Sequence, residues 1–120
     1  KPVRRTFRRS CPYDGSAYTF RKGIQVEAWG PLGQGVTGVL DDPAIGEIAA
    51  RHGKSAAQVI LRWHMQRGLV TIPRCDNDAY TDENIRIFDF ELSPSEIEII
   101  TGLNRNQRAY EQNDPDNFPW

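Results

Sequence analysis

A chain of 120 residues has room for one modest domain and too little for two, and its 38% hydrophobic and 26% charged composition, with three Trp and five Phe, excludes wholesale disorder. No apolar run approaches the roughly 20 residues of a membrane span, and none follows the basic residues Lys1, Arg4 and Arg5, so neither a span nor a secretory signal is expected and the expected compartment is the cytoplasm. The net charge of −1 hides an asymmetry: residues 1–22 hold seven Lys/Arg against one Asp, and residues 23–120 hold eight against fifteen acids.

Residues 1–22 therefore read as a separate basic segment. Five cations in the first nine residues, with Phe7 among them, have the chemistry to neutralise phosphate and stack on a base. No basic fold stands behind them, so no nucleic-acid partner is expected. Cys11 and Cys75 lie far apart without a CxxC or His/Cys ligand spacing, which predicts two free thiols and no disulfide or metal site.

From Gly23 onward the local signals agree with one another. Ile24, Val26, Ala28 and Trp29 form a short apolar, alternating run suited to a buried strand, stopped by Gly30-Pro31. The span from Leu32 to Leu40 is interrupted by Gly33, Gly35 and Gly38, which favours a loop with freedom for unusual backbone angles and makes it a candidate for ligand binding.

Asp42 followed by Pro43 reads as a helix N-cap with proline at the first helical position. Ile45, Ile48 and Ala49 supply the buried face and Gly53 the stop, giving a helix of about ten residues. Ser55 and Gln58 fit a capping box, ahead of a helix whose apolar face is Val59, Ile60 and Trp63 and which Gly68 ends. His52 and His64 fall on these helices and are expected to be exposed. Leu69 to Ile72 is a second β-prone run, closed by Pro73, which cannot donate to a ladder. A short helix is expected near residues 81–87. Ser93-Pro94-Ser95-Glu96 then gives a second capping box, continued by Ile97, Ile100 and Leu103, and the tail from Asn104 to Trp120 is polar with apolar anchors at its tip.

Strands alternating with helices across short connections predict parallel βαβ units whose strands are buried on both faces. A closed β/α barrel takes eight strands and roughly 250 residues. Two or three strands therefore make either part of a barrel or a rearranged fold.

The run from Gly23 to Gly33 (GIQVEAWGPLG) resembles the seventh-strand region of aldo-keto reductases. The stretches Ala57 to Trp63 (AQVILRW), Val70 to Arg74 (VTIPR), Asp82-Glu83-Asn84 and Phe90 to Ser93 (FELS) follow in that family's order and spacing. Within the family the likeness is to the bacterial 2,5-diketo-gluconate reductases, including the terminal Phe118-Pro119-Trp120. The resemblance implies an α/β fold: the last two or three β/α units of a (β/α)8 TIM barrel over residues 23–120, plus the C-terminal helix and tail.

The same resemblance implies an NADP(H) site. Trp29 matches the aromatic residue that stacks on the nicotinamide, a role suited to a flat ring with a negative face. Gly30 stands where relatives often carry Ser, so only backbone remains there. Leu32 and the glycines after it resemble the segment that crosses the cofactor pyrophosphate, where backbone N–H groups can approach phosphate oxygens. Arg74, Cys75, Tyr80, Glu83 and Asn84 match the family's Lys, Ser, Arg, Glu and Asn, which hold the adenosine 2′-phosphate and the adenine. Arg74 keeps the positive charge and can clamp phosphate. Tyr80 supplies a stacking surface and no charge, which leaves NAD open beside NADP(H).

The family reaction is reduction of an aldehyde or ketone to an alcohol, carried by an Asp, Tyr, Lys and His of the earlier strands. No segment of these 120 residues matches their motifs, so no catalytic residue is assigned and the chain alone is expected to be inactive. The alternative is a non-catalytic nucleotide-binding or partner-assembly module. Phe118 and Trp120 resemble the loop that closes over a small carbonyl substrate. The abrupt start of the likeness at Gly23 predicts that residues 4–22 are out of frame or disordered. An unpaired strand edge in a partial barrel invites self-association.

Overall fold

The computed structural model describes residues 4–5, 16–35 and 37–103. Their elements run in the order β1 (Arg4–Arg5), α1 (Ser16–Arg21), β2 (Glu27–Trp29), two short 3-10 turns (Gly33–Gly35 and Val39–Asp41), α2 (Pro43–His52), α3 (Ala56–Gln66), β3 (Val70–Ile72), α4 (Asp78–Ile85) and α5 (Pro94–Gly102). The strands form one parallel sheet in the order β1-β2-β3. Arg5 pairs with Trp29, and Trp29 pairs in turn with Ile72. The expected Cys11 thiol and the tail carrying Phe118 and Trp120 lie outside the described residues.

Local chemistry sets the helix ends. Asp42 Oδ1 accepts from the Ala44 N–H at 2.9 Å, Pro43 holds the first helical position, and Gly53 ends α2 at φ +62°, a left-handed angle that glycine adopts without strain. Both capping boxes are complete: Ser55 with Gln58 at α3 and Ser93 with Glu96 at α5. The fourth helix starts at Asp78, earlier than residues 81–87 suggest, because the Asn77 side chain accepts from the Ala79 N–H at 2.8 Å and so supplies a cap upstream of the expected start.

The core lies between α2, α3 and α5 and the turn before α2. Ile45, Ile48, Val59, Ile60, Trp63, Leu92 and Ile100 are buried together there, and full burial of one such aliphatic side chain is worth about 1.5–3 kcal/mol. His52 Nε2 bridges α2 to the Glu96 carboxylate of α5 at 3.0 Å. Lys54 reaches Asp89 at 2.7 Å and lies over the Phe90 ring.

The strands are not buried on both faces. Ala28 is buried and Thr71 half-buried on the helix-covered side, whereas Glu27, Trp29, Val70 and Ile72 emerge on the other, with Ile72 58% exposed. Three strands cannot close on themselves, so this face meets no opposite wall among the described residues. No described helix is long and apolar enough to cross a membrane.

Candidate functional site

Parallel strands present ligand sites at their carboxyl ends, where connecting loops diverge and backbone groups are free. The register of Trp29 with Ile72 puts the loops after β2 and β3 on the same edge of this sheet. Trp29 is 41% exposed there. Gly30 turns the chain at φ +61°, and its carbonyl accepts from the Gly33 N–H at 2.9 Å. Pro31 is fully buried, and Leu32 packs its side chain against the core. What the loop offers a ligand at Leu32 is therefore backbone. Gly33, at φ +77°, lies against the Thr37 hydroxyl, which a Cβ at that position would strike.

On the β3 side, Arg74 is 84% exposed on its side chain and paired only loosely, through Nε at 3.1 Å from Asp76. An exposed pair of this kind is worth little, and the guanidinium stays available to a stronger anion. The Cys75 thiol donates to the Asn77 carbonyl at 3.1 Å and accepts from the Thr81 hydroxyl at 3.1 Å, which staples the loop to the first turn of α4. Tyr80 projects into solvent. Asn84 is half-buried and, with Pro73, Cys75 and Thr81, lines a cleft of about 580 Å³ between β3, α3 and α4. Glu83 is placed differently: its carboxylate takes the Ser55 hydroxyl and its carbonyl accepts from Gln58 at 2.9 Å, tying it to the start of α3.

Two histidines depart from expectation. His64 is 2% exposed, with Nε2 3.3 Å from the Pro31 carbonyl oxygen. That oxygen can only accept, so Nε2 carries the proton, and Nδ1 is buried with no hydrogen-bond partner. Burial pushes the His64 pKa down to about 4; the Pro31 carbonyl works in the opposite direction and Arg67 adds to the lowering. The ring is therefore neutral near pH 7. His64 follows Ile60 by four positions, a spacing that places both on one helix face, and this was the available signal for its burial. His52 is half-buried rather than exposed because Glu96 and the Phe90 ring, 5.4 Å away, enclose it. Burial works to raise the Glu96 pKa, but hydrogen bonds from the Ser93 backbone and from His52 outweigh it and hold the carboxyl below its usual range. Among the described residues no group of three or more His, Cys, Asp or Glu could hold a metal ion.

The aldo/keto reductase family model matches residues 14–105, a span that takes in α1 as well as everything from Gly23 to the end of α5. The uncharacterized oxidoreductase YtbE of Bacillus subtilis is 46% identical over 101 residues, 84% of this chain and 35% of that protein. The glyoxal reductase of the same organism is 48% identical over 92 residues, 77% of this chain and 33% of that protein. Among solved structures, a point mutant of Gox0644 in complex with NADPH superimposes with a TM-score of 0.70 at 38% identity, covering 74% of this chain and 32% of that one. The chain spans about a third of the length of these relatives.

Proposed function

The chain belongs to the aldo/keto reductase family, and from that premise we propose that it is the cofactor-holding portion of an NADP(H)-dependent oxidoreductase that reduces a small aldehyde or ketone to an alcohol. The observation that carries this is the pairing of Trp29 with Ile72 at the carboxyl edge of the sheet, with Arg74 two residues further on. In this reading the two strands are the last two of a β/α barrel, and Phe118 and Trp120 belong to the substrate-closing loop.

The donor set suits a dinucleotide phosphate. When bound, NADPH supplies the hydride; the residues here bind and orient it. The Trp29 indole stacks on the nicotinamide, backbone of the Gly30 to Leu32 turn approaches the pyrophosphate, and Arg74 meets the 2′-phosphate. Since Glu83 is engaged by Ser55, recognition of the adenine falls mainly to Asn84 and Tyr80, with Cys75 shaping the floor. A single arginine at the phosphate leaves NAD as a weaker second cofactor. The similarity to a glyoxal reductase favours a small carbonyl substrate, with 2,5-diketo-gluconate a further candidate. The proposal includes a cytoplasmic setting and no nucleic-acid partner.

No residue here is proposed to give up the proton that carbonyl reduction consumes, so the isolated chain binds cofactor without turnover. A second role as an assembly module draws support from the uncovered sheet face, where Val70 and Ile72 stand exposed. The test is a fluorescence titration of the 120-residue chain with NADPH, followed by an assay with glyoxal. Saturable binding without oxidation of NADPH is expected. Absence of binding overturns the cofactor assignment, and steady turnover overturns the assignment of inactivity.

A further inference from the structure

We propose that His64 is a positioning residue for the cofactor edge: its Nε2–H holds the Pro31 carbonyl and so fixes the turn into which Trp29 leads. The inference rests on the reading of Trp29 and the loop after it as a cofactor site, and it names a residue that touches neither cofactor nor substrate.

An imidazole is a poor filler for this position on packing grounds alone. The site is apolar enough to hold the ring neutral, and it leaves Nδ1 buried with no partner. A buried polar atom without a partner is destabilising by about 1–3 kcal/mol, a penalty that leucine or methionine of similar volume would avoid. What the imidazole provides and an aliphatic side chain cannot is a donor aimed at one carbonyl in a different element, 33 positions earlier in the chain.

That carbonyl lies where the chain most needs an anchor. Gly30, Gly33, Gly35 and Gly38 all adopt positive φ, so the segment has few intrinsic restraints, and Pro31 has no N–H with which to join a ladder. Its buried ring and its bond to His64 hold it from two sides. The backbone of His64 serves the other strand as well. Its carbonyl accepts from Leu69 N–H at 3.0 Å, immediately before β3, and Val70 N–H donates to the Val26 carbonyl at 3.0 Å. One residue thus joins the exit of β2 to the approach to β3 and so ties together the two strands whose carboxyl ends define the site. The neighbouring Trp63 ring, edge-on at 4.8 Å, limits how far the imidazole can swing.

The experiment compares three variants of the full chain. His64→Met fills the space without a donor, His64→Asn keeps an amide too short to reach Pro31, and His64→Gln places an amide N–H near the position of Nε2. Hydrogen exchange of the amides from residue 32 to residue 40 is expected to speed up about tenfold in His64→Met and His64→Asn, in line with loss of one buried hydrogen bond, and to stay near wild type in His64→Gln, while α5 is unchanged in all three. The NADPH Kd is expected to follow the same order, rising about tenfold in the first two variants and recovering in the third. Wild-type exchange in the loop of both His64→Met and His64→Asn overturns the positioning role whatever NADPH does. Faster exchange in a protein whose wild type does not bind NADPH leaves His64 as the anchor and overturns the cofactor reading instead. If His64→Met fails to fold, the contrast between His64→Asn and His64→Gln, which differ by one methylene, still decides.

Discussion

His64 and Pro31 meet across 33 positions of sequence through a 3.3 Å contact between the ring Nε2 and the proline carbonyl. The contact ties the last turn of α3 to the turn that follows β2. The burial of the ring that makes this contact sets a pH dependence of folding, which the hydrogen bond to Pro31 only partly offsets.

The His64 pKa falls from 6.5 to about 4 on folding. In this window the unfolded chain takes up a proton that the folded chain refuses, so folding stability rises with pH and acid works against the native state. The contribution is fully retained above pH 6.5 and lost progressively as pH falls toward 4, for a total of about 3 kcal/mol. Urea unfolding at about pH 7 and about pH 4.5, either side of most of this titration, is expected to show the loss in wild type. In His64→Met the part due to this group should be absent, leaving a shallower slope over the same interval.

Glu96 joins two interactions in one buried carboxylate: it closes the α5 capping box with Ser93 and bonds His52 at 3.0 Å. Glu96→Ala is expected to lower stability by about 1–3 kcal/mol through the lost cap and the exposed donors, visible as a fall in Tm. NADPH affinity should not change, since neither Glu96 nor its partners Ser93 and His52 are among the residues proposed to hold the cofactor.

Arg74 makes the opposite case. Its exposed pairing with Asp76 contributes little to the fold, so Arg74→Ala should leave Tm within a degree or so of wild type. Loss of the guanidinium is expected to weaken NADPH by about tenfold and NADH by much less, because only the former carries the additional phosphate. Parallel titrations with the two nucleotides check this.

Trp29 is half open at the end of β2, and truncation removes a stacking surface rather than a piece of core. Trp29→Ala should reduce NADPH affinity about tenfold, Trp29→Tyr much less, since the phenol keeps a flat face worth about 1 kcal/mol in such contacts. Fluorescence of bound NADPH provides the readout for both.

Much of this was legible in the sequence wherever the determinant is local. The Asp42-Pro43 start, the Ser55/Gln58 and Ser93/Glu96 boxes and the Gly53 stop are each set by near neighbours in the chain, and all stand where their spacing puts them. The start of α4 was harder because Asp76, Asn77 and Asp78 are all suitable caps by type, and only geometry selects Asn77. The burial of His64 had only its helical spacing from Ile60 to announce it, and the engagement of Glu83 by Ser55, 28 positions away, depends on packing between elements that no local pattern encodes. The open face of the sheet is a matter of closure: the alternation of Ala28 with Trp29 and of Thr71 with Ile72 tells which residues share a face, and says nothing of what lies opposite.

The edge formed by Trp29 and Ile72 is proposed to hold the cofactor, and the most direct measurement of this is an amide chemical-shift map of the 15N-labelled chain titrated with NADPH. The expected result is a set of saturable shifts confined to Trp29 through Thr37, Arg74 through Cys75 and the neighbourhood of Asn84, with His52, Glu96 and the rest of α5 unmoved. Saturable shifts centred on the His52 and Glu96 side of the molecule, or no shifts at millimolar NADPH, would contradict it.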